Sequence, residues 1–86
     1  MTREEIFAVV KENMASIIDG VDVDVITEDQ SMNDYGADSL EIVEVVSRSM
    51  KQLRLRIPRT KLLIAKNLSD LLDLFEEAEA KDTAAV

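Results

Sequence analysis

A single serine stands between an aspartate and a leucine in G-A-D-S-L-E, residues 36 to 41, where an acidic stretch runs into an apolar one. Its hydroxyl could serve as an enzyme's nucleophile, as a helix cap, or as the attachment point for a group that another protein adds. A nucleophilic serine needs a base to take its proton and donors to receive the charge that develops on the substrate. The chain has no histidine, so the usual base near neutral pH is missing. A lysine would have to replace it, yet Lys51 lies about three helical turns beyond Ser39. The G-x-S-x-G elbow of the hydrolase fold is absent as well. These residues argue against an enzyme. A calcium loop fails too: counted from Asp29, the sixth and twelfth places hold Asp34 and Leu40, where an EF-hand needs glycine and glutamate. With no cysteine, disulfides and thiolate metal sites are excluded. Capping by Ser39 or Asp38 remains, and it is compatible with a further role because a helix N-terminus favours negative charge.

The elements that must position this serine read as helices. Thr2 with Glu5 makes a capping-box pattern, and Ile6, Val10, Met14 and Ile17 follow at 4-4-3 spacing, predicting a first helix from about Thr2 to Ile18 with Gly20 as its stop. Residues 19–38 form a long loop. Its V-D-V-D-V-I alternation has no partner strand, so an extended loop is expected, with Val23, Val25 or Ile26, Met32 and Tyr35 turned inward. A second helix is expected from Asp38 or Ser39 to about Leu53, with two apolar stripes: Ile42, Val46, Ser49 and Leu53 on one face, Leu40, Val43, Ser47 and Met50 on another. Either both stripes are core, or one is offered to a partner. Pro58 marks a connection, Arg59 to Ile64 a short third helix, and Asn67 with Asp70 the start of a last helix whose Leu68, Leu71, Leu72 and Phe75 face inward. The expected fold is all-α, a small four-helix bundle with a long loop between the first and second helices and a short third helix. One domain over residues 1–79 and a disordered tail over residues 80–86 complete the reading.

Composition narrows the function classes. The 86 residues are 47% hydrophobic, almost all aliphatic, with Phe7, Phe75 and Tyr35 the aromatics, which suits packed helix faces rather than an aromatic-rich sheet. No run approaches the roughly 20 apolar residues of a membrane span, and the N-terminus lacks an apolar leader segment, so a free-standing cytoplasmic protein is expected. The net charge of −8 disfavours nucleic acid. That charge is segregated. Between Lys11 and Arg48 every charged residue is acidic, whereas from Arg48 to Lys66 every one is basic: Arg48, Lys51, Arg54, Arg56, Arg59, Lys61 and Lys66. Two opposed blocks on so small a body suggest charged docking surfaces.

The run D-Y-G-A-D-S-L-E-I-V-E-V-V resembles the phosphopantetheine attachment site of acyl carrier proteins. The resemblance covers about residues 3 to 79, through the order of first helix, long acidic loop, D-S-L, I-P after the second helix, and N-L-S-D-L-L-D-L-F. It implies a carrier and not a catalyst. A phosphopantetheinyl transferase would esterify Ser39 from coenzyme A, and the 4'-phosphopantetheine arm would hold acyl groups as thioesters on a thiol the chain itself lacks. Asp38, Leu40, Glu41, Val43 and Glu44 match positions that such carriers present to partner enzymes. The basic block departs from the general fatty-acid carriers, which stay acidic there. L-R-I-P-R-T is more similar to discrete carriers of polyketide or other specialised pathways, among them donor carriers of β-branching cassettes. That similarity implies an acyltransferase, a ketosynthase or a hydroxymethylglutaryl-type synthase as partner, with Arg48, Met50, Lys51 and Arg54 as a second docking face on a monomer. An aminoacyl, peptidyl or D-alanyl cargo, or an unmodified helical interaction module, are the competing readings.

Overall fold

The computed structural model describes the backbone of residues 1–84 and the side chains of residues 1–81. Its elements are α1 (Arg3–Ile17), α2 (Ser39–Leu53), α3 (Arg59–Leu62) and α4 (Leu68–Ala84), with no strand among the described residues. The expected all-helical bundle is observed, with its long loop and its short third helix.

Local sequence starts each long helix. Thr2 is held extended and its hydroxyl oxygen accepts the Glu5 N–H, while the Glu5 carboxylate accepts the Thr2 N–H, so both halves of the box form. The backbone N–H of Thr2 first, and then the Thr2 side chain, hold the Glu5 carboxyl below its ordinary range. At α4, Asn67 accepts the Asp70 N–H at 2.9 Å, and Asp70 accepts the Lys66 N–H at 2.9 Å. The last helix continues past Glu79, where the sequence has nothing left to bury, because Ala, Glu and Lys are strong helix formers and Lys81 pairs with Glu77 one turn back at 3.1 Å. The tail expected over residues 80–86 is therefore helical through Ala84; residues 85 and 86 lie outside the described residues.

One expectation for the loop changes. V-D-V-D-V-I is not extended throughout: Asp22 accepts the Asp24 N–H and closes a 3-10 turn over Val23–Val25. Val25 is exposed, and Ile26 is the residue that enters the core. A second 3-10 turn, Met32–Tyr35, has its own capping box between Ser31 and Asp34 and ends on Gly36 at φ +91°, a left-handed conformation that glycine adopts without strain. The Tyr35 hydroxyl accepts the Thr27 N–H at 2.8 Å and donates to the Val25 carbonyl, so it knits the two turns together.

The core takes Ile6, Val10 and Met14 from α1 with its C-cap Ile18, Val45, Val46 and Leu53 from α2, Leu55 and Ile57 from the next connection, and Leu68, Leu71, Leu72 and Phe75 from α4. Ile18 replaces the expected Ile17 as the buried member of its stripe. Two polar features tie the helices. Asn13 is buried and donates to Ser49 Oγ and Gln52 Oε1, both at 2.9 Å. Arg3 donates to Glu28 and Asp73 at 2.7 Å, to Glu76, and to the Ser69 carbonyl at 3.1 Å. One guanidinium thus fastens α1 to the loop and to α4, and Glu28 is the leading cause of its raised pKa.

Short α3 has no side-chain cap and rests on an ion pair. Lys61 Nζ donates to Glu77 at 2.5 Å. Lys61, then Lys81, hold the Glu77 carboxyl below the ordinary glutamate value of 4.5, and Glu77 raises Lys61 above 10.5. A depressed carboxylate contributes stability above its unfolded value and loses it as pH falls through its folded value; a raised lysine behaves oppositely at the alkaline end. The tether is thus complete between those limits and fails below 4.5 on the acid side. Exchange protection of the Leu63 and Ile64 amides, corrected for intrinsic rates, should fall there, and Glu77→Gln should show the same loss at neutral pH. Protection that ignores both changes would mean that the pair does not hold α3.

Arg54, the C-cap of α2, sits at φ 57° and ψ 37°, left-handed for a residue with a side chain. That costs a non-glycine residue about 1–2 kcal/mol. Arg54→Gly should therefore raise stability by up to about 1 kcal/mol after the added unfolded-state freedom of glycine, read as a higher urea midpoint. A lower midpoint would show that the Arg54 side chain stabilises the fold.

Candidate functional site

The site is built at the junction of loop and α2. Asp38, not Ser39, is the N-cap: its carboxylate accepts the Glu41 N–H at 2.8 Å, and the Glu41 carboxylate accepts the Asp38 N–H at 3.0 Å. Ser39 is the first helical residue and is exposed. Among the described residues, no group takes up its hydroxyl, and the N–H groups of Ser39 and Leu40 have no protein partner. Beside it Leu40 stands 81% exposed and Val43 56%, apolar surface that nothing in the bundle covers. On α2 the stripe of Leu40, Val43 and Ser47 faces outward, while Val45, Val46, Ser49 and Leu53 are buried and Ile42 packs against the core.

The other candidates fall into two groups. Asp38, Glu41 and Glu44 share the first half of α2 with the exposed apolar pair, although the Asp38 and Glu41 carboxylates are engaged in the cap. Arg48 reaches Glu44 at 3.3 Å and Ser16 Oγ at 3.4 Å. Met50 is half-buried and its sulfur accepts the Ile57 N–H at 3.3 Å. Lys51 and Arg54 are exposed. A cleft of about 500 Å³ opens between α2, α3 and the start of α4, with Val43, Met50, Arg59 and Leu63 among its lining residues. Sequence reading missed this cleft and the part Arg59 takes in it. Its walls come from segments far apart in the chain, and no local pattern announces it.

The profile described as Phosphopantetheine attachment site matches residues 8–75. The chain belongs to that family. As a phosphopantetheine carrier it holds its group covalently and performs no catalysis of its own. Among curated proteins, the carrier is 27% identical over 74 residues to the polyketide biosynthesis acyl-carrier-protein AcpK of Bacillus subtilis strain 168, covering 86% of this chain and 90% of that one. No solved structure matches it significantly. Among the described residues no helix is long and apolar enough to cross a membrane.

The residues present fit such a group. A phosphodiester on an exposed hydroxyl at the first turn of a 15-residue helix would be favoured by two unclaimed N–H groups and the positive end of the dipole. Asp38 and Glu41 oppose it by charge. Their carboxylates are already committed to backbone N–H groups of the cap.

Proposed function

We propose that Ser39 carries the 4'-phosphopantetheine arm and that the protein delivers acyl thioesters between enzymes of a polyketide-type pathway. The observation that carries this reading is the division of labour at D-S-L-E. Asp38 and Glu41 cap the helix, so Ser39 is left exposed with its hydroxyl uncommitted. The resemblance of the surrounding run and the name of the Bacillus subtilis relative support the pathway class. In the loading step the Ser39 oxygen attacks the phosphorus of coenzyme A that bears the pantetheine. The bond to the nucleotide phosphate breaks, and the serine proton passes to a base of the phosphopantetheinyl transferase.

Docking in this reading centres on Leu40 and Val43, with Asp38, Glu41 and Glu44 around them. An apolar contact rimmed by acids suits partners with a basic mouth, raising encounter rates while the small contact area keeps release fast. Those partners would be the transferase first, then an acyltransferase and a ketosynthase or hydroxymethylglutaryl-type synthase. The test is the intact mass after incubation with coenzyme A and a broad-specificity transferase. A gain of one phosphopantetheine, absent in Ser39→Ala, is expected. No gain from folded protein not already modified would overturn the assignment.

A further inference from the structure

Two depressions meet at Arg59. The first is the cleft between α2, α3 and α4, whose walls are largely Ile42, Val43, Val46, Met50, Leu62 and Leu71. The second is more open and is bordered by Lys51, Arg54, Arg56 and Arg59. Met50, Ile57 and Arg59 border both, so the apolar cleft ends on a group of four cations. The chain has 18 acidic residues, yet none lines either depression; the charged linings are Lys51, Arg54, Arg56, Arg59 and Lys66. Among the described residues, the ion pairs of the basic segment are those of Arg48 with Glu44 and Lys61 with Glu77. The four cations at the end of the cleft have no such counter-charge.

This arrangement favours one shape of ligand. Like charges held together without an acid repel one another, and a cation at the end of a low-dielectric cleft attracts an anion more strongly than one in open water. A plain hydrocarbon would satisfy the walls and leave Arg59 to water. A ligand with an apolar middle and an anionic end would satisfy both, since a guanidinium pairs a carboxylate through two parallel hydrogen bonds. The direction of entry agrees. Ile42, Val43, Val46 and Met50 succeed one another along α2 away from Ser39, and the rise from Ile42 to Met50 is about 12 Å. A group tethered at Ser39 would run along that wall with its far end toward Arg59.

We infer that the cargo of this carrier is an acyl group ending in a carboxylate, whose distal charge is taken by Arg59 and the Lys51–Arg54–Arg56 rim. The inference rests on attachment at Ser39. The arm's own phosphodiester is the other anion available to these cations, so the test must separate the two.

Apo protein is loaded with octanoyl or octanedioyl phosphopantetheine from the matching coenzyme A thioesters, and loading is confirmed by intact mass. Cleavage by hydroxylamine is then timed for each, relative to the same thioester of free coenzyme A. The octanedioyl form should be protected about tenfold more than the octanoyl form, the effect of one charge-assisted hydrogen bond, and the gap should narrow as salt rises. Arg59→Gln should close the gap and leave the octanoyl form unchanged; Lys51→Gln with Arg56→Gln should narrow it. Equal protection of the two forms in the wild type overturns the inference. So does an Arg59→Gln variant that loses protection of both alike, which would assign the cations to the phosphodiester or to the fold. Failure to load either group overturns the attachment itself, whereas loading without discrimination overturns only the cargo class.

Discussion

Ser39→Ala is expected to yield a protein as stable as the wild type that gains no mass from coenzyme A and transfers nothing. The two halves of that result come from different residues. Stability at the start of α2 resides in the reciprocal Asp38–Glu41 box, which the substitution leaves in place. Ser39 contributes an exposed hydroxyl with no partner among the described residues, and alanine is the better helix former. A change within about 0.5 kcal/mol is expected, or a few degrees in Tm for a chain of this size. Asp38→Ala should divide the opposite way. Losing the cap should cost about 0.5–2 kcal/mol, while the folded fraction still accepts the arm at completion, more slowly because the acidic rim met by the transferase has lost one charge. Thermal melting and intact mass on the two variants together separate capping from attachment. A large loss of stability in Ser39→Ala would return the serine to a purely structural role.

Phe75→Ala should have the largest effect on the fold. Phe75 is fully buried on α4 and belongs to the same cluster as Ile6, Val10, Met14 and Val45 from α1 and α2. Removing an aromatic ring from such a site costs about 3–5 kcal/mol in lost transfer energy and residual cavity. At ordinary stabilities per residue, a chain of 86 residues has about 4–13 kcal/mol in all. The variant should sit near its unfolding transition at room temperature, with the helical circular dichroism signal partly lost. Loading at Ser39 should fall in proportion to the folded fraction, although the serine and its cap are untouched. Phe75→Leu keeps much of the volume and should recover most of both signals. A wild-type urea midpoint in Phe75→Ala would show that the core is not organised around this ring.

Legibility in the sequence followed range. Thr2 with Glu5 and Asn67 with Asp70 are three residues apart, and both formed as expected. The spacing of Leu68, Leu71, Leu72 and Phe75 placed all four in the core. The choice between Asp38 and Ser39 as cap was open, yet D-S-L-E held the answer, because Glu41 is three residues beyond Asp38 and completes a box only with it. The two stripes of α2 could not be ranked locally, since periodicity assigns a face without saying what covers it. Val45 escaped for the same reason: it lies beside the Ile42–Val46–Ser49–Leu53 face, on the side away from Leu40 and Val43, and is fully buried. Arg3 is farther from any such pattern. Its partners Ser69, Asp73 and Glu76 lie some seventy residues away, and only the closed bundle brings their oxygens to one guanidinium. The cleft ending at Arg59 belongs to this class also.

The bonds made by Tyr35 have a practical consequence. The chain contains one tyrosine and no tryptophan, so its near-ultraviolet emission comes from a single ring. That ring is anchored to the Thr27 amide and the Val25 carbonyl, three residues before the capping aspartate. The protein thus carries a label-free optical probe in the segment that leads into Ser39. Loosening of that segment, by mutation or by loading, registers in one fluorophore while the helical signal of the bundle stays unchanged.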